Sequence, residues 1–242
     1  AYFDGFVGSK QPFFDLRAIE DSLIPKHWTR LWKVHGSINW YLNSKQEIYR
    51  STEVKSGVSC IIDPSHLKYD QSRKMPYLAL IDRLSSFLRQ TSAVLITSGY
   101  SFRDIHLNDT IVNALKANPT AMVIALLHDT YTCQGEDKKT APRYEKAFSY
   151  AKDRFNLSVW TFDEAVIGGQ QGKWKVSNTE TLDDENLADA IVQIVETKKA
   201  EGADGKEEKI THYQLQLGNF AKFGNFLQAL IGKEQFKIDD AK

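Results

Sequence analysis

Between residues 93 and 163, apolar runs alternate with amphipathic segments, and no other feature limits the possible folds of this chain as strongly. The runs are "AVLITSG" (93–99), "AMVIALLHD" (121–129) and "LSVWTFD" (157–163), each closed by small or polar residues. Runs of this kind predict strands that are buried on both faces of a sheet. Helical periodicity fills the two intervals, over about Leu107–Ala117 and Pro142–Phe155. Strand, helix, strand, helix, strand is typical of a parallel sheet with helices packed on it, so we predict an α/β fold.

The residues before this region predict a smaller structure. "RLWKVHG" (30–36) predicts a strand that ends at His35. "INWYLN", "EIYRST" and "SCIID" follow at hairpin-like spacing and predict a small antiparallel excursion. A proline near the start and apolar residues at helical spacing then predict a helix in "PYLALIDRLSSFLRQT" (76–91).

From about Gly168 the composition changes. "IGGQQGKWKVSNTE" predicts a loop, "DDENLADAIVQIVETKK" (183–199) a helix, and "AEGADGKEEK" (200–209) a linker. The last segment has an apolar stripe at helical spacing, formed by Phe220, Phe223, Phe226, Leu227 and Leu230. We therefore predict a catalytic part over residues 1–167 and a helical extension over residues 168–242 that makes assembly or partner contacts.

Charge and cysteine content narrow the classes of function. Lys+Arg and Asp+Glu both total 31, so the net charge is zero and no overall field attracts nucleic acid or an anionic membrane. No apolar run reaches the roughly 18–20 residues that a bilayer crossing needs. The two cysteines form no CxxC pair, which argues against a zinc site and a disulfide framework and fits a reducing, cytoplasmic location.

Chemically useful side chains follow the predicted strands. The four groups are His35-Gly36-Ser37, Ser98-Gly99-Tyr100-Ser101, His128-Asp129 and Thr161-Phe162-Asp163. If the strands are parallel, these groups converge on the edge where such sheets bind ligands. Strand ends are generally polar, however, and that alternative accounts for His128-Asp129 and Asp163. It accounts less well for "ITSGYSFRDIHLN", where small residues before a helix let backbone amides approach an anion or a ribose.

"KVHGSINW" together with "LITSGYSFRDIHLND" resembles the sirtuin-like superfamily, specifically the HerA-associated type among the sirtuin-like NAD hydrolases of bacterial anti-phage defence. The resemblance covers roughly residues 1–167. It implies a Rossmann-like parallel sheet of the sirtuin-like type, in which the histidine of the HGS element is catalytic. That histidine matches His35. The GYSF element corresponds to the GTSL-type loop of the sirtuins, which lines the NAD pocket.

By this resemblance, NAD is the substrate and one set of residues contacts it. The set is Gly36, Ser37, Ser98, Gly99, Tyr100, Ser101, Asp104 and Asp163, the last where sirtuins often contact the adenine. Residues 31–40 alone favour a plainer interpretation, in which His35 is an ordinary polar residue before a glycine turn. The second motif favours a catalytic His35, since a neutral imidazole suits the proton transfer that cleavage requires. The role of Asn108 remains open, since it either lines the pocket or pairs with backbone groups at the start of the helix.

Two elements of the family are missing from this chain. The glycine-rich phosphate loop and the asparagine that pairs with the histidine do not occur in residues 1–34, and we expect them before Ala1. The four-cysteine zinc module that the sirtuin deacetylases insert after the histidine is also missing, and Cys60 is the only cysteine at that place. We therefore expect no zinc, and an acyl-lysine substrate loses much of its support.

The resemblance implies an NAD+ glycohydrolase that releases nicotinamide and ADP-ribose and depletes NAD in abortive infection. It further implies control by assembly, so we expect a homo-oligomer that docks a HerA-type ATPase. The stripe at Phe220–Leu230 either folds back on the core or packs on another subunit, and the charged linker favours contacts between chains. The alternatives are an NAD-dependent protein deacylase and a catalytically inactive module that senses NAD or ADP-ribose.

Overall fold

The computed structural model describes residues 1–20, 24–25, 27–55, 59–62, 75–134, 140–175, 189–199 and 207–235. The chain divides into two compact units, Ala1–Phe87 and Leu88–Lys242. We call them the N-terminal and C-terminal units. The domain boundary expected at residue 167 falls inside the second unit and stays a prediction.

The N-terminal unit is built from short strands and two helices. Its elements are β1 (Tyr2–Phe3), β2 (Phe6–Val7), β3 (Phe13–Phe14), α1 (Leu16–Glu20), β4 (Thr29–Arg30), β5 (Trp40–Leu42), β6 (Ile48–Arg50) and α2 (Tyr77–Leu88). One sheet has the order β2-β3-β6-β5 with antiparallel pairs, and β1 pairs with β4 in parallel. The predicted antiparallel excursion is confirmed for β5 and β6, and the predicted helix at 76–91 for Tyr77–Leu88.

Aromatic side chains form the core of this unit. Trp40 is fully buried, its ring centroid lies 4.9 Å from that of Phe6, and it stacks on Tyr77 at 6.5 Å. Leu80 and Ile62 complete the same cluster. Large rings bury much apolar area per residue, so short strands suffice to hold this unit together.

The C-terminal unit contains the predicted alternation of strands and helices, followed by a tail over residues 168–242. Its elements are β7 (Val94–Ser98), α3 (Ile105–Ala117), β8 (Met122–Leu126), β9 (Thr132–Gln134), β10 (Thr140–Pro142), α4 (Glu145–Lys152), β11 (Leu157–Trp160), β12 (Glu164–Ile167), β13 (Gln170–Lys173), β14 (Ile191–Lys199), β15 (Glu207–Leu215), a 3-10 turn (Gln216–Gly218) and α5 (Phe220–Gln235).

A five-stranded sheet with the order β13-β12-β11-β8-β7 forms the centre of this unit. β7, β8 and β11 run parallel, as predicted, whereas β12 and β13 are antiparallel. Ala114, Leu115, Phe148 and Ala151 from α3 and α4 are buried and shield the strands, as parallel connections require. The protein is therefore a mixed α/β structure in which the Rossmann-like parallel sheet is present in part.

The expectation that "AVLITSG" is buried on both faces is wrong. β7 is the last strand of the sheet in the described residues, and Val94 and Ile96 are 52% and 43% exposed. An edge strand lacks a neighbour on one side, so the same apolar composition leaves it half covered. β8 and β11, which have strands on both sides, follow the prediction.

The strand predicted over residues 30–36 is also wrong. β4 ends at Arg30, and His35 lies in a turn that the Gly36 amide closes by donating to the Lys33 carbonyl oxygen at 2.9 Å. Gly36 has φ +81° and forms an isolated antiparallel bridge with Ile61. A short apolar run does not by itself distinguish a strand from other structure, and here Gly36 allows a turn instead of a strand.

Two parts of the tail differ from the predicted loop and helix. Gly168 and Gly169, with φ +57° and +81°, form the tight turn of a β12–β13 hairpin, which a Gly-Gly pair favours. Residues 191–199, predicted as helix, form β14, paired with β15 over nine residues. Ile191, Val192, Ile194 and Val195 are β-branched, and pairing with β15 stabilises the extended form. Residues 183–188 of that predicted helix, and the linker residues 200–206, lie outside the described residues.

The last helix packs on its own unit. Phe223 and Phe226 of α5 pack against a cluster of Leu126, Ala190 and Leu217, as the fold-back alternative requires. Phe220, Leu230 and Ile231 are more than half exposed. Only these exposed residues of α5 are left for contacts with another subunit. Assembly through them stays a prediction. No helix in the described part of the chain is both long and apolar enough to cross a bilayer.

Candidate functional site

The candidate site in the C-terminal unit is the edge of the sheet where β7, β8 and β11 end. Parallel pairing brings Ser98, Leu126 and Trp160 to the same edge, with Ser98 opposite Leu126 and Leu126 opposite Trp160. The loops that follow β8 and β11 are joined, since the Phe162 amide donates to the Asp129 carbonyl oxygen at 3.0 Å. Three of the four predicted groups therefore meet at one edge, where open α/β sheets bind ligands.

The Gly99–Asp104 loop follows β7 and leads into α3. Gly99 has φ +72°, and apart from its chain neighbours no heavy atom of the described residues lies within 4 Å of the position that its Cβ would take. Phe102 also has positive φ, at +58°, and is fully buried, with its ring 4.9 Å from Tyr100 and 6.2 Å from Tyr150. A bulky residue adopts this conformation only when its surroundings enforce it. The loop is thus anchored at Phe102 and open at Gly99, which leaves room for a ligand at its exposed end.

Asp104 and Asn108 hold this loop to the helix. Asp104 caps α3, with Oδ1 accepting from the His106 and Leu107 amides at 3.1 and 3.3 Å. Asn108 is fully buried and donates through Nδ2 to the Phe102 carbonyl oxygen at 2.8 Å, while its Oδ1 accepts from the Tyr100 hydroxyl at 2.5 Å. Burial, together with the Asp104 carboxylate, raises the pKa of the Tyr100 phenol well above its ordinary value, so it stays a donor at neutral pH.

Replacing Asn108 with alanine removes both of these hydrogen bonds and leaves the Tyr100 hydroxyl without its closest acceptor. We expect this to cost about 2–3 kcal/mol of unfolding free energy, because buried polar groups without partners are expensive. Equilibrium denaturation measures the loss. Asp109→Ala is the matched control, since Asp109 is exposed on the same helix, and a change within about 0.5 kcal/mol is expected there. Equal effects of the two substitutions would show that Asn108 does not support the loop.

Asp163 lies in the loop after β11 and connects it to the loop after β8. Its Oδ1 accepts from the Tyr131 amide at 2.7 Å and from the Thr161 hydroxyl at 3.0 Å. The Trp174 amide donates to its carbonyl oxygen at 3.2 Å. These bonds give Asp163 a structural role at the sheet edge, and its contact with an adenine stays a prediction.

The tail covers the end of β8. The Leu215 amide donates to the Phe162 carbonyl oxygen at 2.8 Å, and the Gln216 amide to the Ala190 carbonyl oxygen at 2.7 Å. Gly218 lies against the strand end, where an added Cβ would stand 1.9 Å from the Leu127 carbonyl oxygen. Only a residue without a side chain fits this approach. The tail is therefore part of the sheet edge that carries the candidate site.

Gly218→Ala is expected to destabilise the C-terminal unit by about 2 kcal/mol or more, because backbone atoms must move to accept the new methyl group. Gly224→Ala in α5 is the matched control. In the described part of the chain, no atom outside its own helix turn lies within 4 Å of its Cβ position, and removing a helical glycine should raise the free energy of unfolding by about 0.5–1 kcal/mol. Chemical denaturation of both variants gives the comparison. A neutral or stabilising Gly218→Ala would contradict the packing of the tail on β8.

His35, Gly36 and Ser37 lie in the N-terminal unit, in a turn held against residues 60–62. The Ser37 amide donates to the Cys60 carbonyl oxygen at 3.2 Å, and the Ile62 amide to the His35 carbonyl oxygen at 2.9 Å. Lys33 Nζ donates to Ser37 Oγ at 3.0 Å. The His35 side chain is half buried. Because main-chain atoms make the bonds that hold the turn to residues 60–62, the imidazole does not carry them.

Cys60 itself is not suited to nucleophilic chemistry in this position. Burial raises the pKa of its thiol, which disfavours the reactive thiolate. Among the described residues, no group of three or more His, Cys, Asp or Glu side chains has an arrangement that could hold a metal ion.

Sequence reasoning placed the loops after β7, β8 and β11 correctly and missed their supports. The sequence does not decide the role of Asn108, although its position four residues after Asp104 puts it on the same face of α3. The spacing of "SCIID" predicts an antiparallel segment but not its contact with the turn at Gly36, because backbone atoms make that contact. The contacts of the predicted residues with NAD stay predictions.

A family model described as a SIR2-like domain matches residues 4–151. The match includes His35 and the Gly99–Asp104 loop and ends before Asp163. A search of curated proteins finds no match for the chain.

Proposed function

Because this chain belongs to the SIR2-like family, we propose that it is an NAD+ glycohydrolase, which cleaves NAD+ with water to nicotinamide and ADP-ribose. The strongest support for this proposal is the conformation of the Gly99–Asp104 loop. The Gly99–Asp104 loop is anchored by buried Phe102 and Asn108 and exposes Gly99, with open space above it, at the carboxyl edge of parallel strands. That arrangement suits a ligand whose ribose and phosphates approach the backbone closely.

NAD is the proposed substrate, as the SIR2-like family of this chain suggests. NAD is proposed to contact Ser98, Gly99, Tyr100 and Ser101 of the loop. Its further proposed contacts are with Gly36, Ser37 and Asp104, and with Asp163 on the adenine side. The amides at the start of α3 carry the positive end of the helix dipole, which favours a nearby phosphate, and Asp104 already uses two of them as the cap.

The reaction needs one proton acceptor. The bond between the nicotinamide nitrogen and the ribose carbon breaks, and its electron pair stays on nicotinamide, which leaves neutral. A water oxygen bonds to the ribose carbon and loses a proton, which the neutral imidazole of His35 accepts. A positioned acceptor contributes on the order of 10²–10⁴ in rate. The turn at Gly36 supports this role, because hydrogen bonds between main-chain atoms fix the backbone of His35 and Ser37 against residues 60–62.

Incubating the full-length protein with NAD and following nicotinamide and ADP-ribose tests the proposal. Release of both products in equal amounts without any peptide supports a glycohydrolase. Release that requires an acyl-lysine peptide and yields a deacylated product would identify a deacylase instead. Binding of NAD without turnover would identify a sensing module. The second and third outcomes each overturn the proposal.

The biological setting is proposed from the resemblance alone. We propose that NAD depletion serves bacterial anti-phage defence by abortive infection, in the cytoplasm, and that a homo-oligomer docked to a HerA-type ATPase keeps the enzyme inactive until infection. The exposed residues Phe220, Leu230 and Ile231 of α5 offer one apolar surface for such contacts. Measuring the mass of the purified protein, alone and with a candidate ATPase, tests this part separately from activity.

A further inference from the structure

A cavity lies in the C-terminal unit, beside Asp163 and at the opposite side of the sheet from the Gly99–Asp104 loop. It has a volume of about 320 Å³ and is lined by Lys173, Trp174, Lys175, Thr211, His212 and Tyr213. This volume is at the lower end of the range of small-molecule sites, roughly 300–1,000 Å³. No acidic side chain is among the described residues that line it. Three aromatic rings, two hydroxyl groups and two lysines therefore share one small concave surface.

Trp174 is held in place at this cavity. Its Nε1 donates to the Thr161 carbonyl oxygen at 2.9 Å, its amide donates to Asp163, and its ring meets Trp160 edge-on at 5.6 Å. A ring fixed in advance loses little entropy when a flat ligand packs on it. Base stacking on an aromatic side chain contributes about 1–3 kcal/mol. The cavity thus has a rigid surface for a base.

The charges at the cavity favour a phosphate. Within the described part of the chain, neither Lys173 nor Lys175 has an ion-pair partner, and both are exposed. A lysine ammonium group binds phosphate as a point charge. A base and a phosphate together define a nucleotide. With two lysines and about 320 Å³, the cavity has room and charge for one nucleotide and not for a strand.

The cavity is separated from the Gly99–Asp104 loop along the sheet. Lys173 ends β13, whereas Ser98 ends β7, and these are the first and last strands of the five. Four strand spacings of about 4.8 Å place them roughly 19 Å apart. None of the lining residues belongs to the set assigned to NAD, and one of them, Trp174, donates its amide to the carbonyl oxygen of Asp163, which does belong to it. We infer that the cavity is a second site, which binds a free nucleotide independently of NAD cleavage.

Calorimetric titration of the full-length protein with AMP and ATP tests this inference. The Lys173→Ala/Lys175→Ala variant is expected to bind ATP about fivefold or more weakly, and to bind adenosine as the unchanged protein does, because only the phosphate contacts are lost. Lys116→Ala/Lys152→Ala is the matched control, with two exposed lysines of the same unit outside the cavity, and should bind ATP normally. Tyr213→Leu should weaken ATP and adenosine alike.

A second titration separates the cavity from the NAD positions. In the His35→Ala variant saturated with NAD, ATP should still bind with its affinity changed less than twofold. The inference is overturned if ATP and AMP do not bind, if NAD displaces ATP, or if a ten-residue thymidine oligonucleotide binds more tightly than ATP. Absence of NAD cleavage by the unchanged protein would contradict the proposed function and leave this result standing, since ATP binding does not depend on turnover.

Discussion

Replacing His35 with alanine in the full-length protein is expected to lower NAD cleavage by roughly 10²–10⁴-fold, because the water that attacks the ribose carbon loses its proton acceptor. The fold should survive. The bonds that pin the turn to residues 60–62 join main-chain atoms, namely the carbonyl oxygen of His35 with the Ile62 amide and the amide of Ser37 with the Cys60 carbonyl oxygen. We expect a change in unfolding free energy of less than about 1 kcal/mol, as for other substitutions outside a core. Rates of nicotinamide release and chemical denaturation measure the two effects.

His27→Ala is the matched control for this experiment. His27 is exposed, lies in the same unit and belongs to neither motif, so its loss should leave the rate within twofold. The affinity for NAD in the His35 variant should stay close to that of the unchanged protein, since the ring is proposed to act on the water. Turnover retained by the His35 variant would remove the catalytic assignment, and a collapse of its stability would make His35 a structural residue.

Gly36→Ala is expected to disturb the N-terminal unit more than an alanine at either of the other two described glycines, Gly5 and Gly8. Its Cβ would stand 2.1 Å from the Cys60 carbonyl oxygen, and its φ is +81°. The left-handed conformation costs an alanine about 1–2 kcal/mol, and overpacking against backbone adds about 1–3 kcal/mol. The turn should detach from residues 60–62, and NAD cleavage should fall with the loss of the His35 position. Denaturation and activity measured on the same preparation test both parts.

Gly8→Ala separates the two costs. Gly8 also has positive φ, at +100°, but the nearest atom to its Cβ position is 3.8 Å away. This variant should lose only the conformational part, about 1–2 kcal/mol, and keep its activity. If the two variants are equally stable and equally active, the close approach of Gly36 to Cys60 has no role in holding the turn.

Local sequence patterns determined the centre of this protein. The apolar runs at 93–99, 121–129 and 157–163 became β7, β8 and β11, and the intervening periodic segments became α3 and α4. These patterns are reliable because burial acts on each segment in the same way wherever it lies, and because parallel strands require a crossover helix. The convergence of the Gly99, His128 and Asp163 loops on one edge then follows from strand direction. The two motifs, HGS and GYSF, identified the family.

Only the tertiary structure decided how those segments are covered and supported. The sequence of β7 predicts a buried strand, but β7 lies at the edge of the sheet. Residues 191–199 are predicted as a helix but form β14, paired with β15. Phe223 and Phe226 pack inside the unit. The turn at His35 depends on the backbone of Cys60, and the loop at Gly99 depends on the buried amide of Asn108. In each case the deciding partner is distant in sequence or is a backbone atom. Periodicity and residue type describe one segment at a time, whereas pairing, coverage and hydrogen bonding depend on which other segment arrives beside it.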